Sequence, residues 1–80
     1  MSDLPQTKST VIAQTIERWI KDGTLECGSY LPSQVELAEQ FRTSSRPIRE
    51  ALKILEARGL VVLSQGRRAQ IRSNNLDHYV

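Results

Sequence analysis

Cationic side chains recur at helical spacing in the second half of the chain. Arg46, Arg49 and Lys53 are separated by three and four residues, so a helix carries them on one face. An arginine on such a helix can donate two hydrogen bonds to O6 and N7 of a guanine in a major groove. The spacing indicates a DNA-binding helix. The alternative is that Arg46 or Arg49 forms a surface ion pair with Glu50 or another acidic residue, and Glu50 lies four residues after Arg46.

Polar residues near these cations suit the DNA backbone. Ser44 and Ser45, with the free amides at the start of the same helix, can bind phosphate oxygens. Gln34, near the start of the preceding helix, can bind phosphate or adenine, or simply be solvated. Arg67 and Arg68 are expected at a hairpin tip, where they suit the negative potential of a minor groove. Charged loop tips are also common without such a role.

Residues able to support catalysis form no comparable pattern. The single histidine, His78, lies near the end of the sequence, and Cys27 has no histidine or second cysteine close to it. The sequence shows no glycine-rich phosphate loop, paired carboxylates or metal-ligand cluster. We therefore expect no enzymatic activity, no metal and no cofactor. A single cysteine also excludes an internal disulfide and is compatible with a cytoplasmic protein.

Charge is distributed unevenly along the 80 residues. Residues 1–41 carry three basic and six acidic side chains, whereas residues 42–72 carry eight basic and two acidic ones. This asymmetry favours a polyanionic partner, although a solvated charged surface would also account for it. The longest apolar run is residues 60–63, so neither a membrane span nor a signal peptide is predicted.

The elements that must position these side chains follow from apolar spacing. Residues 8–21 form the first predicted helix, which Gly23 ends. The S-x-x-E pattern from Ser33 to Glu36 is a capping box that begins a second helix ending near Phe41. A third helix spans residues 44–58 and ends before Gly59. Its buried stripe is predicted to comprise Ile48, Ala51, Leu52 and Leu55.

A β-hairpin is predicted after the third helix. Residues 60–64 and 69–72 are the two strands, and residues 65–68, with Gly66, are the turn. A very short strand is also expected at Tyr30 and Leu31. The predicted fold class is therefore mainly α with a small β-hairpin, a winged helix-turn-helix of three helices plus a wing. Residues 1–7 are expected to be a disordered lead-in, residues 8–73 the domain, and residues 74–80 the start of a linker or tail.

Three stretches resemble the N-terminal domain of the GntR family of bacterial transcription regulators. They are LPSQVELAEQF at residues 31–41, SRPIREALKILEARGLV at residues 45–61 and QGR at residues 65–67. The resemblance implies a repressor that binds double-stranded operator DNA as a homodimer, usually at inverted repeats. It also implies an effector-sensing domain downstream, which these 80 residues do not include. The sequence ends at residues 77–80 with no obvious stop to the domain, which favours a truncated chain.

The sequence departs from the family pattern at the positions that would touch DNA. Gln34 and Val35 stand where the family usually has Glu-Arg, and Arg42 replaces a glycine, at a cost of about 1 kcal/mol if its φ is positive. The arginine at the start of the third helix comes one position late, at Arg46, and only Arg49 carries over unchanged. The resemblance therefore predicts the fold and the DNA-binding class, and leaves the operator sequence open.

Two alternative functions fit the same fold. One branch of the family fuses this domain to a pyridoxal-phosphate-dependent aminotransferase-like fold, so the chain could be the DNA-binding module of such a regulator. Alternatively, the winged helix could serve protein contact through Val62 and Leu63, where the first hairpin strand is apolar on both faces.

Overall fold

The computed structural model describes residues 7–66 and 68–72. Their elements are α1 (Lys8–Lys21), α2 (Gln34–Phe41), α3 (Ser45–Ala57), β1 (Val61–Val62) and β2 (Gln70–Ile71). The three helices and the hairpin confirm the predicted winged helix-turn-helix. Most of the expected lead-in, the turn residue Arg67 and the expected linker lie outside the described residues.

Helix α1 begins directly after Thr7, which was expected to belong to the lead-in. The Thr7 hydroxyl accepts a hydrogen bond from the amide of Thr10 at 3.2 Å, so Thr7 is the N-cap of α1. Ile12, Ile16 and Ile20 of α1 are buried, whereas Trp19, which the spacing also assigns to the core face, is only partly buried. Trp19 lies at the edge of the core and stacks on Phe41 of α2, with 5.7 Å between the ring centroids.

The predicted capping box begins α2. The Ser33 hydroxyl accepts from the Glu36 amide at 3.1 Å, and the Glu36 carboxylate accepts from the Ser33 amide at 2.9 Å. The helix ends at Arg42, whose φ of 55° is left-handed, as the family comparison anticipated for a position usually held by glycine. The next helix starts three residues later at Ser45, so α2 and α3 are joined by a tight turn.

Helix α3 lies at the centre of the domain and packs against α1, α2 and β1. Its predicted stripe of Ile48, Ala51, Leu52 and Leu55 is buried. Full burial of an isoleucine or leucine side chain contributes roughly 1.5–3 kcal/mol, so the three large side chains of this stripe account for the formation of α3. The core is completed by side chains from the other elements and the connector, namely Ile12, Ala13, Ile16, Ile20, Leu31, Leu37, Val61, Ala69 and Ile71.

The hairpin strands are shorter than predicted, with two residues each. Val61 pairs with Ile71 and Val62 with Gln70 in antiparallel register, which buries Val61 and Ile71 and turns Val62 outward. The expected strand at residues 30–31 is reduced to a single bridge between Tyr30 and Gln70. Two backbone hydrogen bonds flank this bridge, from the Leu31 amide to the Ala69 carbonyl and from the Ile71 amide to the Ser29 carbonyl, each at 2.8 Å.

Candidate nucleic-acid interface

An open groove of about 450 Å³ lies between the start of α2, the middle of α3 and the wing. Five of the residues predicted to bind DNA line it: Gln34, Arg49, Lys53, Gly66 and Arg68. Distant parts of the sequence thus converge on one surface. The remaining lining residues are Pro32, Ser33, Val35, Leu52, Leu63, Ser64 and Ala69.

Helix α3 contributes the two cations at the middle of the groove. Arg49 and Lys53 are exposed and lie one helical turn apart, so their side chains project from the same face. The opposite face of the helix is held in the core by Ile48 and Leu55, both fully buried. Core packing therefore determines which face of α3 is presented to solvent, and that face carries the positive charge.

The groove cations have no carboxylate partner in the part of the chain that the structure describes. The ion pairs there are Lys21–Glu17, Arg46–Glu50 and Arg58–Glu17. Arg49, Lys53 and Arg68 take part in none of them. Their charge is therefore not neutralised within the described fold, which leaves it available to an external anion.

Arg46 lies outside the groove lining, at the first turn of α3. Its Nε lies 3.7 Å from Oε2 of Glu50, and the two side chains are 81% and 55% exposed. The alternative weighed for Arg46, a surface pair with Glu50, is thus present. A pair this long and this exposed contributes little free energy, so it does not prevent Arg46 from making another contact.

Ser44 and Ser45 also lie at the start of α3 and outside the groove lining. Both are exposed, and Ser44 occupies the N-cap position, yet its side chain makes no capping hydrogen bond. The first-turn amides of a helix have no partners within the helix. The Ser44 hydroxyl and these amides are the groups that can hydrogen-bond a phosphate oxygen.

The wing turn follows β1 at Gln65 and Gly66. Gly66 has a φ of 74°, a conformation that glycine adopts without strain, and Arg68 is exposed on the far side of the turn. Arg67 lies outside the described residues. The turn therefore brings one described cation, Arg68, to the rim of the groove.

Two residues differ from what their sequence position suggested. Leu63 packs against the core and is half-buried, so the outward apolar surface of the first hairpin strand is reduced to Val62. Arg58, predicted to be in the last turn of α3, is its C-cap and binds Glu17 of α1. The sequence offered no signal for this ion pair, because the two residues are 41 positions apart.

The same ion pair affects the ionisation of Glu17. Partial burial opposes ionisation of this carboxyl and by itself raises its pKa. Hydrogen bonds from Lys21 and Arg58 outweigh that effect and hold the pKa of Glu17 below its ordinary value of 4.5. The cluster lies on α1 and at the end of α3 and shares no residue with the groove lining.

The described residues contain no cluster of potential metal ligands and no helix long and apolar enough to cross a membrane. Three helices, a two-stranded wing and a groove lined by unpaired cations between α2, α3 and the wing define a winged helix-turn-helix DNA-binding domain.

Comparison with known proteins identifies the family. The model of the bacterial regulatory proteins of the gntR family matches residues 8–71, and the chain belongs to this family of transcription regulators. The Glc operon transcriptional activator of Escherichia coli (strain K12) is 37% identical over 75 residues, which cover 94% of this chain and 30% of the relative. The transcriptional repressor NanR of Enterobacter sp. (strain 638) is 33% identical over 69 residues, 86% of this chain and 26% of the relative.

Solved structures show the same fold. The DNA-binding domain of AraR in complex with operator ORX1 matches with a TM-score of 0.80 and 28% identity, covering 89% of this chain and 86% of that one. YtrA from Sulfolobus acidocaldarius, a GntR-family transcription factor, matches with a TM-score of 0.77 and 30% identity, covering 91% and 74%. The chain thus spans most of a DNA-binding domain but only 30% of the length of the first curated relative.

Proposed function

We propose that this domain recognises an operator sequence, with the start of α3 in the major groove and the wing at the neighbouring minor groove. In this arrangement Arg49 donates to a guanine edge, and Lys53 neutralises phosphate. Ser44, Ser45 and the first amides of α3 hydrogen-bond phosphate oxygens of the DNA backbone at the start of the helix. Arg46 lies at the first turn, where it contacts a base edge or a phosphate.

The convergence of unpaired cations on one groove is the observation that carries this proposal. Arg49, Lys53 and Arg68 come from a helix and a hairpin, yet line the same surface without internal partners among the described residues. Gln34 lies at the same rim and supplies an amide that can bind phosphate or adenine. Arg67, next to Arg68 in the sequence, is proposed to contact DNA together with it.

The action of the whole protein is also a proposal. We infer a cytoplasmic repressor that binds an inverted repeat as a homodimer, with effector sensing in a further domain. Occupying an operator is sufficient for repression, and DNA binding of this kind needs no cofactor. The named relatives include an activator as well as a repressor, so the relatives by themselves favour neither direction of regulation.

Selection of bound duplexes from a random pool tests the DNA-binding proposal. We expect an enriched inverted repeat whose half-sites are separated by about 10 base pairs or a multiple of that spacing. The logarithm of affinity should fall steeply and linearly with the logarithm of salt concentration. If no duplex is enriched, the proposal is wrong, and protein contact becomes the better account of the fold.

A matched pair of arginine variants then tests the assignment of the groove. Arg49→Ala is expected to weaken binding to the selected site by about 1–3 kcal/mol. Arg18→Ala serves as the control, because Arg18 is exposed on α1 and lies outside the groove lining. Equal loss of affinity in the two variants would contradict the proposed orientation of α3.

A further inference from the structure

An apolar side chain stands among the cations of the groove. Val35, in the first turn of α2, is 66% exposed and is the most exposed large hydrophobic residue in the described part of the chain. Two other valines are strongly exposed, Val11 at 46% and Val62 at 42%. Neither of them lines the groove, whereas Val35 does.

The local structure holds Val35 in a defined direction. Leu37, two residues later and therefore about 200° around the helix axis, is fully buried, so Val35 projects away from the core. The two reciprocal hydrogen bonds between Ser33 and Glu36 fix the backbone of the turn that contains Val35. A β-branched side chain also has few accessible rotamers. A contact made by Val35 therefore costs little side-chain conformational entropy.

The surroundings of Val35 favour a nucleic-acid partner over an apolar protein surface. The groove that it lines is also lined by the cationic residues Arg49, Lys53 and Arg68. Docking an apolar protein face there would bury these charges without partners, which is costly. A DNA duplex satisfies the cations with phosphate and base oxygens. It also offers one apolar group at the base edges of the major groove, the C5-methyl group of thymine.

We propose that Val35 is a specificity-determining residue that packs against the C5-methyl group of one thymine in each half-site. This inference rests on the proposed function, because it needs α3 and the start of α2 to face the major groove. The Val35 contact does not follow from the charge pattern. An apolar side chain distinguishes thymine from the other bases by shape and hydration alone.

Replacement of thymine by deoxyuridine, which lacks only the C5-methyl group, tests the proposal directly. Each thymine of the selected duplex is replaced in turn, and the affinity of the 80-residue chain is measured by fluorescence anisotropy. We expect one position per half-site at which replacement weakens binding about fourfold, because a methyl-sized apolar group is worth roughly 0.8 kcal/mol when buried. In Val35→Ala the effect at that position should disappear, while effects at other positions remain.

Val62→Ala is the matched control, because it removes the same atoms from a valine outside the groove. This variant is expected to keep the full sensitivity to the methyl group. The proposal is overturned if no thymine shows a methyl effect that depends on Val35, or if Val62→Ala removes the effect equally. These outcomes presuppose a bound duplex, so they are distinct from a failed selection, which would contradict the proposed function itself.

Discussion

Nη1 of Arg58 lies 2.6 Å from Oε1 of Glu17, and this contact joins the end of α3 to α1. Lys21 approaches the other carboxylate oxygen at 3.2 Å, so one acidic side chain accepts from two cations. Arg58 belongs to the basic half of the sequence, yet its charge is used inside the fold. The charge available to DNA is consequently smaller than the count of basic residues suggests, and three of the cations without an ion pair among the described residues, Arg49, Lys53 and Arg68, line the groove.

Removal of the Glu17 carboxylate should make the free energy of unfolding less dependent on pH in the acid range. The pKa of Glu17 is lowered in the folded state, so its stabilising contribution is present above the unfolded pKa and is lost as the pH falls through the folded value. Glu17→Gln should therefore lower the free energy of unfolding at neutral pH by up to about 1 kcal/mol. The difference from the unmodified chain should shrink below pH 4.5, the ordinary pKa, in urea unfolding curves.

Glu56→Gln is the control for this measurement, since Glu56 is exposed on α3 and belongs to none of the ion pairs in the described ranges. It should leave the pH dependence unchanged. A constant difference between Glu17→Gln and the unmodified chain from neutral to strongly acid pH would show that the ion pair is not its cause.

Arg42→Gly is expected to stabilise the domain. Arg42 has a φ of 55°, and the left-handed conformation costs a residue with a Cβ atom roughly 1–2 kcal/mol. Glycine removes this cost but gains freedom in the unfolded chain, so the net gain should be about 0.5 kcal/mol. Arg42→Ala keeps the Cβ atom and loses the charge. Urea unfolding that shows an equal gain in both variants would trace the effect to charge rather than to backbone strain.

Arg46 is expected to influence base preference and not stability. Its pair with Glu50 is long and exposed, so Arg46→Ala should change the free energy of unfolding by less than about 0.5 kcal/mol. Selection with this variant should yield altered bases at the positions facing the start of α3. Arg46→Lys keeps the charge without the two-pronged hydrogen bond. If the lysine variant selects the original bases, Arg46 acts through phosphate.

The contribution of Arg68 to binding affinity is expected to depend on the DNA sequence that flanks the major-groove site. A-tracts have a narrow minor groove with a stronger negative potential, which attracts an inserted arginine. This effect is measured by comparing the affinities for two duplexes that share the selected core and differ only in having A·T-rich or G·C-rich flanks. The unmodified chain should prefer the A·T-rich flanks, and Arg68→Ala should lose that preference. Arg18→Ala should retain it, and loss in both variants would argue against wing insertion.

The order and approximate bounds of the helices were predictable from the sequence because local rules determine them. The stripe from Ile48 to Leu55 has the period of a helix, and the pairing of Ser33 with Glu36 is a local capping arrangement. The left-handed conformation of Arg42 was anticipated only through the family comparison. The hairpin strands were predicted too long, because the extent of strand pairing depends on a partner that is distant in the sequence.

The composition of the groove was decided by tertiary structure. Sequence spacing grouped Arg46 with Arg49 and Lys53, whereas the fold places Arg46 outside the groove lining and brings Arg68 into it. Spacing along a helix describes which residues share a face, but it carries no information about where another element meets that face. Burial against α1 and the wing supplied that information. Tertiary packing also leaves Val35 exposed at the groove and places Arg58 in contact with Glu17.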